Sequence, residues 1–138
     1  MDNSIIKNLI NHAIKARNNA YVPYSSFKVG AAILTKCGTT FSGCNIENAA
    51  FTPGNCAERT AIFSAIAAGY RDFSIIAIVG GKNELISDCF PCGVCRQVLT
   101  EFCPPSFEII IATSPTDYKI FTLKELLPHS FDNSSLNH

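Results

Sequence analysis

With 138 residues and 47% hydrophobic content, the chain can furnish one compact domain around a single core. Eleven basic and eleven acidic side chains cancel to a formal net charge of zero. No broad positive field is left to gather a polyanion, so nucleic acid is set aside as a primary partner. The longest apolar runs, such as Ser74 to Val79, fall far short of the roughly 20 residues that cross a bilayer, and the amino terminus lacks the layout of a secretory leader. The expectation is a soluble, cytoplasmic protein with no membrane partner.

From Ser4 to Asn18, Ile5, Ile6, Leu9, Ile10, Ala13 and Ile14 recur at three- and four-residue spacing, which predicts an amphipathic helix. Pro23 and Ser25-Ser26 break that pattern. Phe27 to Leu34 and Thr40 to Cys44 read as strands joined by a turn at Lys36-Cys37-Gly38, an antiparallel hairpin. Asn45 to Asn55 is loop-like. Cys56 to Ala68 is apolar on every side after its first turn, the mark of a buried helix, and Gly69 is placed to end it.

Ser74 to Val79 is a β-branched run buried on both faces. Val94 to Phe102 has helical apolar spacing, and Glu108 to Ala112 is a further strand. Alternation of strand and helix predicts an α/β layered domain with parallel pairing in its second half. A short helix near Leu123 to Leu127 is stopped by Pro128, and the polar stretch 132–138 reads as frayed. No repeat or linker divides the chain, so residues 1–131 form the expected single domain.

Seven cysteines are many for this length, and an odd number cannot all pair within one chain. In a reducing compartment, clustered thiols are metal ligands or catalytic groups more often than a disulfide framework. Pro91-Cys92-Gly93-Val94-Cys95 sets two thiols three residues apart where a loop turns into a helix. Amide groups at a helix amino terminus favour the thiolate that zinc requires, although a Cys-x-x-Cys alone also fits a redox pair or inert core cysteines. Cys56-Ala57-Glu58 adds a third thiol at another helix start, with a carboxylate two positions on. On a regular helix those two side chains point about 200° apart. Glu58 therefore reaches past the metal toward a substrate, and the fourth coordination position stays open, as in catalytic zinc sites.

Cys56-Ala57-Glu58 with Pro91-Cys92-Gly93-Val94-Cys95 resembles the signature of zinc-dependent nucleobase deaminases, in the variant where cysteine replaces histidine. The wider strings Asn45-Ile46-Glu47-Asn48, Cys56 to Ala61 and Pro91 to Phe102 resemble the small three-cysteine cytidine deaminases, and the likeness runs from about Tyr21 to Phe131. The resemblance implies a three-layer α-β-α sandwich with a mixed five-stranded sheet. It implies hydrolysis of cytidine and 2′-deoxycytidine to uridine and 2′-deoxyuridine plus ammonia, in pyrimidine salvage. Cys56, Cys92 and Cys95 would hold one Zn2+ per chain, and Glu58 would act as general acid and base. Asn45 and Glu47 match the pair that binds the ribose 3′-hydroxyl, Phe27 an aromatic beside the pyrimidine, and the Ala57 amide a contact to the base carbonyl. A homotetramer with shared active sites is also implied, with Phe131 reaching the adjacent site.

Arg59, three residues after Cys56 and on nearly the same helical face, can lie beside that thiolate. Three thiolates around a divalent ion leave a charge of about −1, which a guanidinium would offset. Cys37, Cys44, Cys89 and Cys103 match no ligand position and read as small buried hydrophobes. Cys89 also makes a second Cys-x-x-Cys with Cys92, faintly like an iron–sulfur run, but seven residues separate Cys95 from Cys103 where that run has three, and Cys56-Ala57-Glu58 would go unexplained. Phe51 stands where such deaminases usually carry tyrosine. Two rivals remain at this stage: deamination of another aminopyrimidine, against which Asn45-Ile46-Glu47-Asn48 argues, and a structural zinc module, which needs no carboxylate at position 58.

Overall fold

The computed structural model of the chain describes residues 1–137. The amphipathic stretch near the amino terminus forms α1, Asn3–Arg17, capped by the Asp2 carboxylate, which accepts the Ser4 N–H. The expected hairpin follows as β1, Lys28–Thr35, and β2, Thr40–Cys44. Then come α2, Ala57–Ala67, β3, Phe73–Gly81, and α3, Gly93–Phe102. The chain closes with β4, Glu108–Ser114, β5, Asp117–Thr122, the short helix α4, Leu123–Leu126, and a 3-10 turn over Asn133–Leu136.

The five strands make one mixed sheet in the order β2-β1-β3-β4-β5. Only the β3–β4 pair is parallel, because α3 carries the chain back across the sheet between them; the other pairs are antiparallel. From Ile75 onward, side chains of β3, like those of β4, alternate between the faces. Ile75, Ala77, Val79, Ile110 and Ala112 meet Leu9, Ile10 and Ala13 of α1. Ile76, Ile78, Ile109 and Ile111 meet Ala61, Ile62 and Ala65 of α2, with Leu99 of α3. Both faces are thus covered, and the architecture is the expected three-layer α-β-α sandwich.

Reading the residues in order finds four strands, and the fifth is β5. Its signal is weak because it lies at a sheet edge with Lys119 and Ile120 exposed, so no apolar alternation marks it. Two other expectations change. α2 is not covered all round, since Phe63 is 44% exposed and Ala67 lies beside it on the open side. Cys37 is exposed at the hairpin turn and Cys44 only half-buried, whereas Cys89 and Cys103 are buried as expected. Cys37 sits where the chain reverses, between the Thr35 and Thr39 hydroxyls, and nothing packs over it. The polar stretch from Asp132 holds a turn capped by that residue's carboxylate.

Gly43 decides how close α2 can come to the sheet. A Cβ at that position would lie 2.6 Å from the Ala61 nitrogen and 2.9 Å from the Ala57 carbonyl oxygen. Gly43→Ala must therefore push α2 off β2 and is expected to cost about 1–3 kcal/mol. Thermal melting should show a lower Tm; an unchanged Tm would mean that α2 can slide without loss.

Candidate active site

α2 and α3 both begin with a cysteine at the N-cap. Cys56 and Cys92 have extended backbones (φ −80° and −65°), and neither thiol accepts a capping hydrogen bond from the backbone of its own helix. An N-cap side chain normally takes up one of the unpaired amides of the first turn. Here both sulfurs stay free of that duty and turn toward each other. Cys95, in the first turn of α3, completes the group: the Cys56–Cys92 and Cys92–Cys95 Sγ separations are 3.6 and 3.5 Å, and all three sulfurs lie within 4.8 Å of one another. Because Cys56 is outside the helix, the regular-helix angle between it and Glu58 does not apply. The carboxylate is nonetheless absent from the converging ligand atoms.

This arrangement fits a tetrahedral ion. Zinc bound to thiolates at about 2.3 Å holds its sulfurs about 3.8 Å apart, close to the spacings found. Without a cation the cluster is electrostatically divided. Hydrogen bonding from Cys95 and contact with Arg59 bring the Cys56 thiol down to about 5. Donation to Cys56 and burial push Cys95 far up. A divalent cation removes this conflict by stabilising every thiolate at once.

Arg59 Nη2 lies 3.4 Å from the Cys56 sulfur, as the spacing predicts. That thiolate raises the arginine's own pKa. The Arg59 Nε is buried with no partner among the described residues, so it is not through this nitrogen that the guanidinium meets the sulfur. Glu58 follows one residue after the helix start and is 4% exposed. Burial pushes its carboxyl up to about 7, and the Cys56 charge adds to the rise.

Beside the thiols opens a cavity of about 910 Å³, whose walls include Phe27, Asn45, Glu47, Ala57, Glu58, Cys56 and Cys92. The site residues named from the sequence therefore meet around one space with two exceptions: Cys95 is fully buried behind it, within the thiol group, and Phe131 lies elsewhere. Phe131 is 63% exposed and lines no part of this chain's own cavity. Phe51 stands at the cavity mouth, 99% exposed.

Asn45 and Glu47 are not idle side chains. The Asn45 carboxamide accepts from the Val29 N–H at 2.9 Å and donates to the Phe27 carbonyl at 2.8 Å. Glu47 accepts the N–H groups of Tyr24 and Ser25 at 3.0 and 3.1 Å and the Ser25 hydroxyl, and the donated hydrogen bonds hold its carboxyl below the usual carboxylate range.

Two supporting residues escaped the sequence reading. Arg96 donates to the Pro91 carbonyl at 2.8 Å and the Leu126 carbonyl at 2.6 Å, fastening the segment just before Cys92 to α4. Gln97 donates to the Phe131 carbonyl at 2.7 Å, fixing the tail against α3. Arginine and glutamine on a helix ordinarily read as solvated charge and polarity, and their partners are backbone groups that no spacing reveals.

Comparison with known proteins agrees with this geometry. Residues 3–111 match the cytidine and deoxycytidylate deaminase zinc-binding region. The cytidine deaminase of Sporosarcina psychrophila is 44% identical over 133 residues, covering 96% of both chains. That of Halalkalibacterium halodurans is 46% identical over 129 residues, covering 94% of this chain and 96% of its own. The crystal structure of cytidine deaminase from Burkholderia pseudomallei superposes with a TM-score of 0.81 at 48% identity, covering 90% of this chain and 97% of that one. The enzyme from Mycobacterium tuberculosis gives 0.74 at 35% identity, covering 90% and 94%.

Elemental analysis is expected to find about one zinc per chain. Cys92→Ala should lose the metal, while Cys89→Ala, which removes a buried thiol outside the converging group, should keep it. The reverse result would reassign the ligands.

Proposed function

The chain belongs to the zinc-dependent cytidine and deoxycytidylate deaminase family, and we propose that it hydrolyses cytidine and 2′-deoxycytidine to uridine and 2′-deoxyuridine with release of ammonia. The observation that carries this reading is a buried carboxyl group, Glu58, in the wall of a cavity with ample room for a nucleoside, beside three converging thiols. A structural zinc module has no use for such a group, because burying an ionisable side chain costs stability.

Cys56, Cys92 and Cys95 would hold zinc, which would supply Lewis acidity to the attacking water. Glu58 takes a proton from that water as its oxygen adds to C4 of the pyrimidine, and delivers the proton to N3. It then moves the remaining hydroxyl proton to the exocyclic nitrogen, the C4–N bond breaks, and ammonia leaves as the C4 carbonyl forms. Burial, by disfavouring the charged form, suits this carboxyl both to take up a proton and to return it. Arg59 and the amino termini of α2 and α3 offset the negative charge that three thiolates would otherwise impose.

Phe27 flanks the pyrimidine and the Ala57 N–H, at the first position of α2, donates to the base carbonyl. Asn45 and Glu47 take the 3′-hydroxyl of the sugar. Both are already oriented by backbone contacts, so binding need not order them. The reaction serves pyrimidine salvage in the cytoplasm, in keeping with a chain whose described residues include no helix long and apolar enough to cross a membrane. Residues 1–131 act as one domain in a homotetramer, and Phe131, exposed and absent from the lining of its own cavity, reaches that of a neighbour. Sedimentation of an active monomer would reject the shared site.

Glu58→Gln keeps the shape of the side chain and removes the proton carrier. Its turnover of cytidine is expected to fall about 10² to 10⁴-fold, some 3–5 kcal/mol, with zinc retained and binding changed far less. Ammonia release from cytidine, deoxycytidine and cytosine measures this. A variant keeping more than about a tenth of wild-type turnover would remove Glu58 from proton transfer. Cytosine deaminated as well as cytidine would reject the sugar contacts.

A further inference from the structure

The Phe27 peptide is gripped at both ends by side chains. Its carbonyl accepts from the Asn45 amide at 2.8 Å, and its N–H donates to the Ser25 hydroxyl oxygen at 3.0 Å. The hydrogen of that same hydroxyl goes to a Glu47 carboxylate oxygen. The other carboxylate oxygen accepts the backbone N–H groups of Tyr24 and Ser25 at 3.0 and 3.1 Å. The Ser25 N–H and hydroxyl thus bond to two residues of the cavity wall, although Ser25 itself does not line the cavity.

The backbone meets a cost to place it there. Ser26 has φ of 60°, a region unfavourable for a residue with a side chain, and its N–H closes a turn onto the Val22 carbonyl at 3.1 Å. That turn holds Ser25 over Glu47.

We infer that Ser25 is a positioning residue for nucleoside recognition, its hydroxyl fastening Glu47 and the Phe27 backbone into one unit so that the sugar and base contacts are set together. This rests on the reading of Glu47 and Phe27 as substrate contacts. Glu47 has a flexible stem and only part of it is buried. Two backbone N–H groups hold one of its oxygens, and Ser25 alone fixes the second. Without the hydroxyl, the free oxygen can rotate and the Phe27 N–H loses its acceptor.

The thiols and Glu58 stand on α2 and α3, away from this network. Loss of Ser25 should weaken binding in the ground state and the transition state alike. Such a loss raises KM and leaves kcat nearly untouched.

The test is steady-state deamination of cytidine by the zinc-loaded protein, comparing wild type with Ser25→Ala, Ser25→Thr, Glu47→Ala and the Ser25→Ala/Glu47→Ala pair. Ser25→Ala is expected to raise KM about 10-fold, the scale of one lost hydrogen bond to a charged group, with kcat within about 2-fold. Ser25→Thr, which restores the hydroxyl, should return KM to within about 3-fold of wild type, a rescue that a packing role would not show. In the Glu47→Ala background the second substitution should add no more than about 3-fold, because most of its effect runs through the missing carboxylate. A wild-type KM for Ser25→Ala, a fall in kcat at unchanged KM, or the full 10-fold effect persisting without Glu47 would each overturn the inference. A wild-type protein inactive on cytidine would instead overturn the reading of the whole site; active wild type beside an unaffected Ser25→Ala overturns only the role of Ser25.

Discussion

Everything in this molecule depends on bringing two helix amino termini to one point. Each terminus carries unpaired amides and a partial positive charge. Packing two of them together is unfavourable unless negative charge lies between. Cys56 and Cys92 supply it, as N-cap residues whose sulfurs leave their own helices uncapped and face each other. The sheet enforces the meeting. α2 is pressed onto β2 at Gly43, where no side chain intervenes, and α3 must start near the end of β3 because it leads back to the parallel neighbour β4. The metal site is therefore a product of the layering and not of local loop structure.

That convergence also sets the chemistry of Glu58. Two residues past Cys56, the carboxylate is carried into the core side of the first turn, where lost solvation outweighs the helix amides and Arg59 that favour its charge. Its ionisation is balanced near neutrality as a result. Arg59 is pulled the opposite way: adjacent negative sulfur keeps it charged although its Nε is buried without a partner. Negative sulfur raises the pKa of both groups, so the carboxyl is driven toward neutrality and the guanidinium toward charge, because one ionises to an anion and the other is itself a cation.

Much of this was legible from the residues. Periodicity places α1, α2, α3 and four of the strands, since core-facing side chains must recur at the period of their element. Short spacing announces the thiols and Glu58, because both groups open helices. What stayed hidden has a common cause. β5 lies on an edge and needs no apolar face; Arg96, Gln97 and Ser25 act on backbone carbonyls, a backbone N–H or a carboxylate distant in sequence, and such pairings exist only after folding. The exposed Cys37 differs for a similar reason, since a thiol at a hairpin turn has no neighbour to bury it.

α2 raises the remaining point. Its composition fits a helix covered on every side, yet Phe63 and its neighbouring small residues face outward from this single chain. Phe51, Val94 and Phe131 are also exposed, the first two at the cavity mouth. Isolated apolar residues on a surface are ordinary, but here they accompany a helix patterned for full burial and a cavity open to one side. A second copy covering these surfaces would satisfy the pattern of α2 and close the cavity in the same step. In such an assembly the fold of one chain would position the thiols and Glu58, while exclusion of water from the cavity would fall to the neighbouring copy. Catalysis benefits from such a division because the charged groups gain strength only when the cavity is closed.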